Sequence, residues 1–163
     1  MTSGPDTSGL AAALSGGAQA LGLDLNDASR QKLLDYLGLM LKWNRVYNLT
    51  ALREPSEVLT HHLLDSLSAI APLRRALADL SLDKPAQVLD VGSGGGLPGV
   101  VIAIACPDVQ VTCVDAVAKK AAFIQQAAAQ LQLPNLKGVH ARVETMPGPY
   151  DLICSRAFAS LAD

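Results

Sequence analysis

The sequence has no long apolar run, no basic leader and few aromatic residues. Its longest unbroken apolar run, Val100–Cys106, has seven residues, whereas a membrane span needs about 20. The N-terminus has neither a basic stretch nor an apolar core, so we expect no secretory signal. Aromatic residues make up 4%, charged residues 17% and hydrophobic residues 50% of the 163 residues. This composition excludes a disordered chain and favours one compact soluble domain with a short additional segment.

An excess of positive charge and a pattern of metal ligands are also missing. Thirteen Lys and Arg residues face fifteen Asp and Glu residues, so the net charge is −2 and a polyanion would need a local basic patch. The three cysteines, Cys106, Cys113 and Cys154, form no Cys-x-x-Cys pair and share no ligand spacing with the histidines. We therefore expect a cytoplasmic protein without a metal site and without a membrane segment.

The chain changes character near residue 84, and the change divides it into three parts. Residues 1–25 are predicted to be a partly disordered tail, in which the Ala, Leu and Gly residues of 10–22 favour a weak helix, and residues 26–84 a helical segment. In this segment Asn26 or Asp27 can cap one helix, while a second begins near Pro55 and is closed by Pro72. Residues 85–163 are predicted to form a cofactor-binding α/β domain.

Short apolar segments alternate with helical segments in the third part. Strands are predicted at 86–91, 109–114, 136–141 and 150–154, with helices at 98–105 and 117–131. Such alternation predicts a parallel sheet with right-handed crossovers. The expected fold class is therefore α/β, with a Rossmann-like sheet that follows a helical segment.

A glycine-rich turn follows the first predicted strand and opens a helix. It runs from Gly92 to Gly99, and Gly94, Gly96 and Gly99 match the Gly-x-Gly-x-x-Gly fingerprint of dinucleotide-binding folds. Glycines allow the backbone to turn tightly and to approach a ligand closely, with helix N–H groups facing it. On its own this motif is a weak signal, because glycine turns also occur without a ligand.

Two carboxylates strengthen the interpretation of this turn as a ligand site. Asp115 ends the second predicted strand, 19 residues after Gly96, where an acid that binds a ribose belongs in a doubly wound sheet. Asp90 lies just before the glycines and is expected near the bound molecule. A carboxylate there would repel a pyrophosphate but not a sulfonium cation with an α-amino group. Asp90 therefore favours S-adenosylmethionine over NAD.

Six motifs together point to one family. The sequence contains, in this order, Trp43-Asn44-x3-Asn48-Leu49-Thr50, His62-Leu63-Leu64-Asp65-Ser66-Leu67, Gly94-Gly95-Gly96-Leu97-Pro98-Gly99, Lys119-Lys120-x2-Phe123, Ala141-Arg142-Val143-Glu144 and Ser155-Arg156-Ala157. From about residue 29 onwards the chain resembles the class I methyltransferases of the glucose-inhibited division protein B family, the bacterial 16S ribosomal RNA guanine-N7 methyltransferases. The resemblance implies S-adenosyl-L-methionine as cofactor and 16S ribosomal RNA or the small ribosomal subunit as partner.

The resemblance also implies roles for particular residues. Arg142 and Arg156 would face the substrate and position it, with no general base. The residues implied to border the cofactor are Asp90, Gly92, Ser93, Gly94, Gly96, Leu97, Asp115, Val143, Glu144 and Arg156. Within this set the glycine loop would hold the methionine part, Asp115 the ribose hydroxyls, and Val143 and Glu144 the adenine.

Several alternatives remain open at this stage. Lys119 and Lys120 are either solvated helix charges or RNA contacts, and His62, Asp65 and Ser66 either cap the glycine loop or touch the substrate. Arg156 has an alternative as a surface ion pair with Asp151 or Asp163.

The sheet of a class I methyltransferase has seven strands, and only four are predicted here, in the order 3-2-1-4. We therefore expect a C-terminally incomplete domain, an open edge at the fourth strand, and a monomer. The alternative function is a cofactor-binding fragment without turnover, or a methyltransferase with a different substrate.

Overall fold

The computed structural model describes residues 7–156, and a four-stranded parallel sheet forms the centre of their fold. The strands are β1 (Gln87–Val91), β2 (Gln110–Asp115), β3 (Leu136–His140) and β4 (Leu152–Ser155). Their order is β3-β2-β1-β4, as predicted from the sequence. Val91 pairs with Val114 on one side and with Ser155 on the other, so the carboxyl ends of the inner strands meet at one edge.

The two inner strands are covered on both faces, as is typical of parallel sheets. Four of the five residues of β1 are buried, and Asp90 is one of them. Helix α6 (Gly99–Ala105) is buried over its whole length, and helix α7 (Ala118–Gln130) packs Phe123 and Ile124 into the same core. The glycine turn between β1 and α6 therefore rests on a rigid base.

The first helices pack onto this core. Helix α2 (Asp27–Tyr47) is capped by Asn26, whose side chain accepts a 2.8 Å hydrogen bond from the Ser29 amide, as predicted for a capping residue. Helix α1 (Thr7–Ala20) lies within the predicted tail but is an ordered helix with Leu10, Leu14 and Ala18 buried. Because those side chains join the main core, α1 packs with the helices that follow it.

The helix predicted from Pro55 to Pro72 is divided in the structure. It consists of α3 (Pro55–Val58), a π-helix (Leu59–Leu64), α4 (Asp65–Leu67) and then α5 (Ile70–Asp79). Pro72 does not close a helix but lies in the first turn of α5. The N–H that proline lacks is not needed there, because the first four amides of a helix have no intrahelical partner.

The fourth strand is an edge strand over the part of the chain that the structure describes. It pairs only with β1, and the side chain of Ile153 is 63% exposed. The open apolar edge expected from the sequence is therefore present at β4. Among residues 7–156 no helix has the length and apolar character to cross a membrane.

Candidate functional site

The turn between β1 and α6 has a conformation that requires glycine. Gly92 and Gly96 have φ angles of 65° and 93°, values that side chains disfavour. A Cβ atom at Gly96 would also lie 2.4 Å from Cγ2 of Val100. The hydroxyl of Tyr36 on α2 donates a hydrogen bond to the carbonyl of Gly95 from below the turn. The glycine loop is therefore held in one shape from both sides.

Tyr36 is a site residue that the sequence analysis missed. It is completely buried and belongs to the apolar face of α2, where Leu33 and Met40 lie three residues before it and four residues after it. This spacing indicates a core position. Only the folded chain shows that its hydroxyl reaches a loop 59 residues away.

A cleft of about 390 Å³ lies at the carboxyl ends of β1, β2 and β3, and we call it the strand cleft. Its lining includes Gly92, Asp115, Val143 and Glu144. Asp115 is 7% exposed, and its two carboxylate oxygens accept hydrogen bonds from the amides of Gly94, at 3.0 Å, and Val117, at 2.8 Å. Since a carboxylate oxygen has two lone pairs, each oxygen can still accept a ligand hydroxyl.

A second cleft of about 260 Å³, the helical cleft, lies between the glycine loop and the helical segment. Its lining includes Ser93, Gly94, Leu97, Thr50 and Arg156. Gly92 lines both clefts, so one extended molecule can pass across the loop from the strand cleft into the helical cleft.

Arg156, directly after β4, is held by three groups of the helical segment. Its Nε lies 3.1 Å from Oδ2 of Asp65, its Nη1 3.1 Å from Nδ1 of His62, and its Nη2 donates to the carbonyl of His61 at 2.6 Å. A guanidinium has five N–H groups, so two remain for a ligand in the helical cleft. The alternative pairing with Asp151 is not formed, because Asp151 accepts a hydrogen bond from the Gln87 amide instead. The other alternative partner, Asp163, and Ala157 of the predicted motif lie outside the described residues.

Burial and the contact with Arg156 together keep the ring of His62 neutral and determine which of its nitrogens carries the proton. Burial, followed by the charge of Arg156, lowers the pKa of His62. Because Arg156 donates to Nδ1, the proton of the neutral ring is on Nε2, which lies 2.6 Å from Oγ1 of Thr50. That oxygen also accepts from the Leu52 amide at 3.2 Å. The hydroxyl hydrogen of Thr50 is then left for a ligand in the helical cleft.

His62 and Asp65 both bind the side chain of Arg156 at the border of the helical cleft, so both alternatives, a cap over the glycine loop and contact with the substrate, stay predictions. His62 also lines that cleft. Ser66 is buried, 2% exposed, one turn away.

Asp90 lies behind the glycine loop and lines neither cleft, which differs from the expectation that it approaches the ligand. It is fully buried, and its Oδ2 accepts a 2.8 Å hydrogen bond from the Gly99 amide at the start of α6. A Cβ atom at Gly99 would lie 2.7 Å from the same oxygen, which explains the glycine. Burial outweighs the Gly99 hydrogen bond and raises the pKa of Asp90 from 3.8 to about 7.

This pKa predicts an unusual dependence of stability on pH. The folded Asp90 keeps its proton up to about pH 7, whereas the unfolded carboxyl group loses it near pH 4. We therefore expect the free energy of unfolding to fall between these values, by about 4 kcal/mol from this group. Urea denaturation across this range should show the fall in the wild type but not in Asp90→Asn. The assignment of this fall to Asp90 would be contradicted if Asp90→Asn showed the same fall as the wild type, or if the exposed control Asp83→Asn lost it.

The structure separates the two arginines that the sequence grouped together. Arg142 follows β3 and lines the strand cleft, whereas Arg156 follows β4 and lines the helical cleft. Three strand spacings, about 14 Å, separate β3 from β4. The two side chains are therefore not brought together on one substrate group, and only Arg156 lies on the side of the helical segment.

The remaining candidates take different positions. Lys119 Nζ lies 5.7 Å from the centre of the Tyr47 ring, while Lys120 lines the strand cleft.

Burial and then the charge of Asp90 raise the pKa of Cys154 to about 12, so its thiol is protonated and is no nucleophile. Over residues 7–156, no group of three or more His, Cys, Asp or Glu side chains is placed to hold a metal ion.

The sheet order, the glycine loop and the two clefts define the class I methyltransferase fold. A putative protein-L-isoaspartate O-methyltransferase from Plasmodium falciparum, solved with S-adenosyl-L-homocysteine, has this fold, with a TM-score of 0.51 and 17% identity. The likeness covers 88% of this chain and 71% of that chain. At this identity it supports the fold alone.

Within this class, the chain belongs to the GidB family, rRNA small subunit methyltransferase G, whose model matches residues 29–163. It is 64% identical over 155 residues to the ribosomal RNA small subunit methyltransferase G of Acidovorax sp. (strain JS42), covering 93% of this chain and 69% of the relative. It is 60% identical over 162 residues to the protein of that name from Paracidovorax citrulli (strain AAC00-1), covering 94% and 66%. The chain thus spans about two thirds of the length of these relatives.

Proposed function

We propose that this protein transfers a methyl group from S-adenosyl-L-methionine to N7 of a guanine in 16S ribosomal RNA. The observation that carries the proposal is a donor-rich helical cleft without a free general base. Arg156 and Thr50 offer N–H and O–H groups there, and both ring nitrogens of His62 are engaged. Among the described residues that line the cleft, none has a carboxylate or a thiol.

This donor set suits the chemistry of a ring nitrogen. N7 of guanine attacks through an in-plane lone pair and loses no proton, so the reaction needs positioning rather than a strong base. Guanine presents O6 and N7 as acceptors, and arginine is the most common donor to them. Arg156 would donate to O6 or to the adjacent phosphate, which leaves the N7 lone pair free for the methyl group.

The residues of the two clefts fit the cofactor. The strand cleft has the volume of a small-molecule site, and Asp115 keeps lone pairs for the two ribose hydroxyls. Val143 and Glu144 would border the adenine, and the loop from Gly92 to Gly96 would hold the methionine part. Bound in this way, the cofactor supplies an electrophilic methyl group on its sulfonium.

The remaining predictions depend on this function. A ribosomal RNA substrate implies a cytoplasmic protein with RNA or the small ribosomal subunit as partner. Calorimetric titration with S-adenosylmethionine, S-adenosylhomocysteine and NAD would test the cofactor, and only the first two are expected to bind. Cofactor binding without methyl transfer to ribosomal RNA would instead favour the alternative predicted from the sequence, a cofactor-binding unit without turnover.

The product should be 7-methylguanine at one position of the small-subunit RNA. Borohydride reduction followed by aniline cleaves RNA at this base, so RNA from wild-type cells should show a cut that is absent when the gene is deleted. The deletion strain complemented with the wild-type gene provides the control. Cleavage at every wild-type site in the deletion strain would contradict the assignment of N7.

A further inference from the structure

A groove of about 540 Å³ runs along α2 and the segment that precedes α3, outside the two clefts. Within the part of the chain that the structure describes, three cationic side chains line it, those of Lys42, Arg45 and Arg53, and no carboxylate does. Positive charge is thus concentrated at this groove, although the net charge of the chain is −2. The groove is the kind of local basic patch that a polyanion would require.

The three cations are available to a ligand. Lys42 and Arg45 lie on the face of α2 that also carries Gly38 and Leu41, and all three cationic residues are exposed. Within residues 7–156, the ion pairs join Arg30 to Asp27 and Arg156 to Asp65, so none involves the groove. Arg53 donates at 2.9 Å to the neutral amide oxygen of Asn48, which orients it without cancelling its charge.

The groove adjoins the helical cleft through one buried residue. Asn44 lines the groove, while its Oδ1 accepts from the Thr50 amide at 2.9 Å and its Nδ2 donates to the Leu52 carbonyl at 3.2 Å. This amide fixes a short segment with Thr50 at the helical cleft and Arg53 at the groove. Two residues, Ala51 and Leu52, lie between Thr50 and Arg53, so the backbones of these two residues are at most about 11 Å apart.

The chemistry of the proposed reaction determines what lies beside the helical cleft. In an RNA helix, N7 of guanine faces a deep and narrow groove that side chains do not enter. The target guanine must therefore come from a single strand or be turned out of its stack. In either case the phosphates of the neighbouring nucleotides lie next to the cleft.

We propose that the groove formed by Lys42, Arg45 and Arg53 binds the phosphates of single-stranded RNA beside the guanine that enters the helical cleft. This inference rests on the proposed function, because that function places RNA in the cleft. The phosphate contacts hold the strand in register, and the donors of the cleft select the base.

The test compares two variants with the same change in charge. One is Lys42→Gln/Arg45→Gln/Arg53→Gln, and the other is Arg75→Gln/Lys84→Gln/Lys137→Gln, whose residues are exposed outside the groove and both clefts. Binding of a short fluorescein-labelled single-stranded RNA is measured by anisotropy over a range of salt concentrations. The measured quantity is the slope of log Kd against log salt concentration. Each lost phosphate contact should lower this slope by about 0.7 and raise Kd about fivefold at 0.1 M salt. The slope should therefore be lower by about 2 in the groove variant and unchanged in the control.

Three results would overturn this inference. They are an equal loss of slope in both variants, an unchanged slope in the groove variant, and no salt-dependent binding by the wild type. Calorimetry with S-adenosylhomocysteine should give the same Kd for both variants, which excludes misfolding as the cause. The outcome is distinct from that for the proposed function, since RNA binding through the groove without methyl transfer would contradict only the latter.

Discussion

Replacing Asp115 by alanine is expected to weaken the binding of S-adenosylhomocysteine by about 100-fold or more. The variant loses two charge-assisted hydrogen bonds to the ribose, each worth about 1.5–3 kcal/mol, and 100-fold corresponds to about 2.8 kcal/mol. It also frees the Gly94 and Val117 amides that the carboxylate accepts from in the structure. Titration calorimetry measures the change directly.

Asp151 provides a matched control for this experiment. Its carboxylate also accepts a backbone amide of the sheet, that of Gln87 at 2.7 Å, but at the opposite end of β1. Asp151→Ala should therefore leave the affinity for S-adenosylhomocysteine unchanged. Asp115→Asn retains one acceptor oxygen and should lie between the wild type and Asp115→Ala. Unchanged affinity in Asp115→Ala would show that the ribose is not bound at the end of β2.

Replacing Arg156 by alanine is expected to reduce methyl transfer by at least about 100-fold, which is the typical cost of one donor aligned with a reacting group. Cofactor affinity should stay within about threefold, or roughly 0.7 kcal/mol. We expect this separation because Arg156 lines the helical cleft, which only the methionine part of the cofactor would reach, while Asp115 lies in the strand cleft with the rest of the cofactor site. Transfer of a radioactive methyl group to ribosomal RNA and calorimetry with S-adenosylhomocysteine measure the two quantities.

Two further variants distinguish the effect of the three guanidinium hydrogen bonds of Arg156 from the effect of its charge. Arg156→Lys keeps the charge but cannot hold Asp65, His62 and the His61 carbonyl at once, so it should not restore transfer. Arg74→Ala removes a hydrogen bond to the Ala105 carbonyl, 3.0 Å long and away from both clefts, and should transfer at the wild-type rate. Methyl transfer by Arg156→Ala at the wild-type rate would show that Arg156 does not position the substrate.

The strand order and the course of the glycine loop could be predicted because local signals and topological rules agree there. Short apolar segments alternate with helices, and a parallel crossover has one hand, which leaves few arrangements for four strands. The boundaries near Pro55 and Pro72 were less predictable. Pro55 was expected to begin a helix and Pro72 to end one, but both lie in the first turn of a helix. A proline can stand at either end, and the local sequence does not distinguish the two cases.

The candidate site shows the same division at the level of single residues. From the sequence alone, the glycine loop, Asp115 at the end of β2 and Arg156 after β4 could be proposed as site residues, because each is defined by its distance along the chain from a strand end. Tertiary structure decided the rest: Tyr36 supports the loop from α2, Asp90 lies behind it, and Arg142 and Arg156 lie at opposite edges of the sheet. The contact between Tyr36 and the loop joins residues 59 apart, and that between Arg156 and His62 joins residues 94 apart. Packing determines such contacts, and the local pattern of a sequence does not contain them.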